Sequence, residues 1–138
     1  MTVVLDSNIF ISALLKDSYT RRIIVSSDET FLFPEAIFSE IEEHHEELLK
    51  KSGLMGSEYE KLIKTLLKYV MIVPDEKTLP CRSEAFLLIG KTDIDDVPIM
   101  ATALAYKDAA IWTNDQHFLK QKKVLIVKTR DMAEKWLK

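Results

Sequence analysis

Acidic side chains at four places carry the chemistry this sequence offers. Asp6 ends an apolar run, Val3-Val4-Leu5, and Glu40 lies early in the stretch after a second run, Thr30-Phe31-Leu32-Phe33. Asp93, Asp95 and Asp96 stand at the head of an apolar stretch with helical spacing, and Asp115 comes just past Ile111-Trp112. Two carboxylates about 4 Å apart repel by roughly 4 kcal/mol at a surface-like effective dielectric. A converging set therefore either takes up protons or binds a hard divalent cation. Oxygen-only ligands favour Mg2+ or Mn2+ over zinc. Asn8 and Thr113 add neutral oxygens able to hold metal-bound water or a phosphate oxygen. The implied chemistry is metal-assisted phosphodiester hydrolysis, in which an ion acidifies a water and neutralises phosphate charge.

Each acid also has a plain structural reading. Asp6 serves equally well as a helix cap. Glu40 fits as one more solvated acid beside Glu42, Glu43, Glu46 and Glu47, although it borders the apolar stripe of Ile37 and Ile41. Asp95 or Asp96 suits an N-cap favoured by the helix dipole. Asp115 suits the cap of a short helix holding His117, Phe118 and Leu119. Singly these readings suffice, but Asp6, Asp96 and Asp115 all fall at one edge of the expected sheet.

Other catalytic arrangements are weak or missing. His44 and His45 are adjacent, so they cannot share a helix face as a zinc pair. His44 follows Glu40 by four residues and reads as a partner of it or as a solvated histidine. No GxSxG elbow, P-loop or GxGxxG occurs. Cys81 is the single cysteine, which leaves no internal disulfide and no Cys-rich zinc site.

The elements that must position these acids alternate strand and helix. Residues 2–5 read as a strand and Asn8–Leu15 as a helix capped by Ser7 or Asn8. Arg21–Ser26 reads as a second helix and Thr30–Phe33 as a strand, with Pro34 in the first turn of the next helix. That helix carries Ile37, Ile41, Leu48 and Leu49 and ends near Gly53. Ser57 to Glu60 reads as a capping box for a helix with Leu62, Ile63, Leu66, Leu67 and Val70 along one stripe. Val70–Val73 is a strand ended by Pro74. Arg82–Ile89 is a helix closed by Gly90, and Asp95–Tyr106 is another, with Pro98 in its first turn. Strands at Ala109–Trp112 and Val124–Val127 and a helix over Arg130–Leu137 complete the chain. The strands are continuous apolar runs, as expected when both sheet faces are covered. The fold class is therefore α/β, a three-layer α/β/α arrangement on a central parallel sheet of about five strands. Right-handed crossovers put the strand carboxyl ends on one edge.

Composition narrows the classes further. The 138 residues fit one domain spanning the chain, and 47% hydrophobic residues supply a core. Charged residues at 30% argue against a membrane protein, and no signal peptide opens the sequence, so a soluble cytoplasmic protein is expected. The net charge of −3 is not that of a protein holding nucleic acid by charge alone. It suits an enzyme with acids around a cation and a basic rim.

Four segments resemble, in order and spacing, the acidic motifs of PIN domains. They are Leu5-Asp6-Ser7-Asn8-Ile9, Ser39-Glu40-Ile41, Asp95 to Ala103, and Trp112-Thr113-Asn114-Asp115, and the likeness covers essentially the whole chain. The resemblance implies a Mg2+- or Mn2+-dependent ribonuclease on a five-stranded parallel sheet, usually a homodimer. For a stand-alone chain of this length it implies the toxin half of a VapBC-type toxin–antitoxin pair, with an antitoxin protein as partner and RNA as substrate. By position it points to Asp6, Glu40, Asp96 and Asp115 as the metal-holding acids, Asp93 as an additional ligand and Asp95 as the cap. Glu43 is the alternative to Glu40, because sequence does not set the register of that acid-rich helix. Asn8 and Thr113 match polar accessory positions, and Asn114 stands where a basic residue is common. Arg21, Arg22, Lys91 and the Lys120, Lys122, Lys123 run are candidate contacts to an RNA backbone, each readable alone as solvated surface. Two rivals stand beside this reading. A haloacid-dehalogenase-like phosphatase needs a second Asp where Asn8 stands. A non-catalytic module on the same fold would bind no ion.

Overall fold

The apolar runs become strands because both of their faces are buried. In β1 (Thr2–Leu5), Val3, Val4 and Leu5 are all fully buried, and so are Phe31, Leu32 and Phe33 in β2 (Thr30–Pro34). Successive strand residues point to opposite faces, so consecutive burial requires helices on each side of the sheet. The computed structural model, which describes residues 1–137, adds β3 (Val70–Val73), β4 (Ala110–Trp112) and β5 (Leu125–Val127). The five strands lie in the order β3-β2-β1-β4-β5, and every neighbouring pair is parallel. The expected parallel α/β sheet is the observed one.

Helices fill the connections. α1 (Ser7–Ala13) and α2 (Tyr19–Ser26) lead from β1 to β2, and α3 (Glu35–Glu43), α4 (His45–Ser52) and α5 (Gly56–Leu66) from β2 to β3. α6 (Asp75–Thr78), α7 (Arg82–Ala85) and α8 (Val97–Leu104) lead from β3 to β4, and α9 (Thr129–Trp136) follows β5. Phe10 of α1 stacks on Phe33 with ring centroids 4.3 Å apart, and Phe31 tilts against Trp112 at 6.0 Å. α8 buries Ile99, Met100, Ala101, Thr102 and Ala103 and packs against β1, β2 and β4. A helix apolar on nearly every side belongs in the interior. Each fully buried large side chain contributes about 1.5–3 kcal/mol.

The strand order determines where a ligand can sit. The chain builds outward from β1 to β2 to β3, then returns to add β4 on the other flank of β1. The order reverses between β1 and β4, so connections leaving their carboxyl ends diverge and open a crevice there.

Several elements depart from the expectations above, each for a local reason. The cap of α1 is Asp6, whose carboxylate accepts the Ser7 N–H at 2.7 Å, and not Ser7 or Asn8. The single helix expected through Leu49 is two, broken at His44 (φ −107°, ψ 22°). In one continuous helix Glu42 would face Glu46 and Glu43 would face Glu47 at i,i+4, each like-charge pair costing about 0.2–0.5 kcal/mol. α4 does end at Gly53, in the left-handed region at φ 74°. α5 starts earlier than the Ser57 capping box predicts: Glu58 Oε1 accepts the Met55 N–H at 3.2 Å. Its stripe ends at Leu66, since Leu67 is exposed and Val70 already lies in β3.

The Arg82–Ile89 helix is only α7 followed by a wider turn over Phe86–Gly90. Gly90 does not close it. The Phe86 ring lies across Gly90, and a Cβ there would stand 2.3 Å from Phe86 Cδ2, so only glycine admits the ring. α8 begins at Val97 instead of Asp95, behind a tight turn over Ile94–Asp96.

Candidate metal centre

Asp6 is the first residue past β1, and its backbone still belongs to the sheet. Its N–H donates to the Trp112 carbonyl at 3.0 Å, which aligns the ends of β1 and β4. The next amide turns into α1, and the Asp6 carboxylate caps it through Oδ1. The other oxygen, Oδ2, accepts the Thr113 hydroxyl at 2.7 Å. Thr113 is fully buried, and its Oγ1 also accepts the Asp115 N–H at 2.9 Å. One threonine thus joins the acid of β1 to the acid beyond β4.

Asp115 caps a tight turn over Gln116–Lys120, its Oδ1 accepting the His117 N–H at 2.9 Å. From the other side, Asp93 Oδ1 accepts the Asp95 N–H at 3.0 Å and caps the turn that delivers Asp96. The cap role expected of Asp95 therefore belongs to Asp93, while Asp95 is exposed. Asp96 is only 8% exposed, and its Oδ2 has no hydrogen-bond partner among the described residues. An orphaned buried oxygen costs about 1–3 kcal/mol, more when charged. Carboxylate oxygens of Asp93 and Asp96 and a ring nitrogen of His117 all lie within 4.8 Å of one another.

The electrostatics follow from this crowding. Burial, reinforced by the charges of Asp93, Asp6 and Asp115, pushes the Asp96 carboxyl up from its ordinary 3.8 to about 7. Burial also raises Asp6; the bonds from Thr113 and Ser7 oppose the rise, and the charges of Asp115 and Asp93 add to it. Among the described residues no lysine or arginine forms an ion pair with these acids. The donors are carboxylate oxygens with one nitrogen, a set that suits a hard or borderline divalent ion. Asp96, buried without a donor, is where such an ion would supply the missing interaction. The residues present fit Mg2+ or Mn2+.

The other predicted positions lie farther out. Glu40 and Glu43 are exposed on α3, and neither belongs to the tight group. Asn8 is exposed in the first turn of α1. Asn114 gives both ends of its amide to Thr129: Nδ2 donates to Oγ1 at 2.9 Å, and Oδ1 accepts the N–H at 3.0 Å. Trp112 Nε1 donates to the same hydroxyl at 3.0 Å, so this trio ties the β4 exit to α9. Arg21 Nη1 donates to the carbonyls of Ala13 (2.6 Å) and Leu15 (2.8 Å), closing the end of α1. Arg22 lies over the Tyr19 ring, Lys91 is exposed, and Lys123 pairs with Glu84. His117 was not singled out by sequence reasoning. The available signal was its place two residues after Asp115, in the same strand-end turn.

The comparisons bear on this geometry. The family model of the PIN domain matches residues 4–135, from Val4 in β1 to Lys135 in α9. The chain belongs to the PIN-domain family. Among the matching solved structures is VapBC2 from Rickettsia felis bound to a DNA fragment from the promoter of that pair. The match covers 93% of this chain and 98% of that one, with a TM-score of 0.67 and 17% identity, a likeness of fold. No curated protein matches the chain. In this PIN domain the acids of the first, third and fourth motifs meet in the crevice between β1 and β4.

Proposed function

We propose that this PIN domain is a divalent-metal-dependent endoribonuclease, the toxin component of a toxin–antitoxin pair. The observation that carries the chemistry is Asp96, whose buried oxygen has no donor and faces the charges of Asp93, Asp6 and Asp115. Asp6, Asp96 and Asp115 would hold Mg2+ or Mn2+, with Asp93 as a further ligand. When bound, such an ion supplies Lewis acidity toward a phosphate oxygen and an acidified water. Thr113 orients the Asp6 carboxylate toward the crevice, and a bound ion would favour the ionised form of Asp96. Glu40, with Glu43 as its alternative, would help align the attacking water from α3. Lys91, Arg22 and the lysines after Phe118 offer cationic contacts to a phosphate backbone.

The toxin assignment is supported by the fold shared with VapBC2, a named pair. It implies a small antitoxin partner, and the family resemblance implies a homodimer in the cytoplasm. The phosphatase rival loses its ground, since the chain is a PIN domain and Asn8 stands where that mechanism needs an acid. Incubation with single-stranded RNA and Mg2+ or Mn2+, against an EDTA control, tests the chemistry. Cleavage should require the ion and vanish in Asp6→Asn. Full activity in that variant would sink the assignment. A neighbouring reading frame whose small DNA-binding product co-purifies with this chain would bear out the toxin role, and its absence would count against it.

A further inference from the structure

His117 lies outside the acidic pattern, yet its ring sits inside the group that pattern builds. Its Nδ1 is 3.5 Å from Asp115 Oδ1 and 3.9 Å from Asp93 Oδ2. Both separations exceed an ordinary hydrogen bond of about 2.7–3.2 Å. They suit donors sharing one ion: ligands about 2.1 Å from a common octahedral centre stand about 3 Å apart when adjacent and about 4.2 Å when opposite. The same turn that lets Asp115 accept the His117 backbone N–H brings the ring to face Asp93 across the crevice. Independently, Asp96 contributes a carboxylate to this group, is over nine-tenths buried, and holds an oxygen with no partner.

We infer that His117 is a nitrogen ligand of the metal centre and biases it toward a transition ion such as Mn2+ over Mg2+. The inference rests on the proposed metal site and specifies its selectivity. Mg2+ takes oxygen almost exclusively, whereas imidazole is an ordinary ligand for first-row transition ions. A carboxylate-only centre would treat the two ions more evenly. The histidine therefore works as a selectivity filter built into the loop after β4.

Pulsed electron paramagnetic resonance of Mn2+ bound to the full chain tests this directly, with calorimetric titration of Mn2+ and Mg2+ beside it. The wild-type protein should show 14N coupling to Mn2+, and His117→Ala should lose it. Mn2+ affinity should fall by at least about 10- to 100-fold in that variant, the loss that removing even an outer-shell partner of a ligand brings, while Mg2+ affinity changes little. His117→Gln, which places an oxygen donor of similar reach, should keep Mg2+ binding and likewise lack the nitrogen signal. The side chain is 47% exposed, so neither change threatens the core. Bound Mn2+ without nitrogen coupling, or an unchanged Mn2+-to-Mg2+ preference in His117→Ala, would overturn the inference and leave the nuclease reading intact. Failure of the wild-type protein to bind Mn2+ at all would overturn both.

Discussion

Two regions of this protein are rich in acid, and they behave in opposite ways. Along α3 and α4, Glu40, Glu42, Glu43, Glu46 and Glu47 are all exposed. Their charges are solvated, and their mutual repulsion costs no more than a helix break at His44. At the crevice between β1 and β4, Asp6 and Asp96 are buried, with Asp93 and Asp115 close enough to raise their pKa values. Charge count does not separate the two regions. What separates them is the topology, which drives the second group together and buries Asp6 and Asp96 where water screens them little.

The contrast is sharpest in catalysis. Asp96→Asn should lower ion-dependent RNA cleavage by at least about 10²-fold, the scale of losing one group that stabilises transition-state charge. Glu46→Gln should change it less than about twofold. Cleavage rates at saturating Mn2+ decide the matter, and comparable losses in both variants would erase the distinction.

Stability against pH gives the next largest effect. The fold raises the Asp96 pKa, so between its ordinary 3.8 and about 7 the folded protein holds more protons than the unfolded chain. Stability of the metal-free protein should therefore fall as pH rises through that window, with Asp6 acting in the same direction. Urea unfolding across the window in EDTA should show the slope, and Asp96→Asn should flatten it and stabilise the protein at the alkaline end. Glu46→Gln should leave the slope as it is. Thr113→Val removes the donor to Asp6 Oδ2 and should cost about 1–3 kcal/mol in the same assay. A neutral result would show that the Thr113 bond adds nothing to the pocket. The smallest effect belongs to α4: Glu46 lies in its first turn, where a negative charge suits the helix dipole, so Glu46→Lys should destabilise by about 0.3–1 kcal/mol in the same assay.

The sheet and three of its acids were readable from local pattern. Val3-Val4-Leu5 and Ala110-Ile111-Trp112 are short, wholly apolar and followed at once by polar residues, so Asp6, Thr113 and Asp115 could be assigned to strand ends. Asp96 followed from its place before an apolar helix. The division of labour between Asp93 and Asp95 was not readable, because an Asp at either position caps equally well until backbone angles are known. Asp93 adopts φ −156° and reaches forward, which leaves Asp95 to solvent. His117 escaped because its place depends on a tight turn that carries no hydrophobic period. Glu40 is a case of its own: the family resemblance points to it, and on α3 it is exposed, outside the tight group of Asp93, Asp96 and His117. The break at His44 and the wider turn over Phe86–Gly90, where the Phe86 ring lies against Gly90, also lie beyond periodicity.

Proton release on metal binding tests the metal centre most directly. Near pH 7, Asp96 is partly protonated in the metal-free protein, and an arriving cation must displace that proton. Mn2+ titrations by calorimetry in buffers of different ionisation enthalpy count the protons released. Wild-type protein should bind Mn2+ with measurable proton release near pH 7 and almost none near pH 9, and Asp96→Asn should release fewer protons near pH 7. Mn2+ binding without proton release at pH 7, or unchanged release in Asp96→Asn, would contradict a metal centre built around that buried carboxylate.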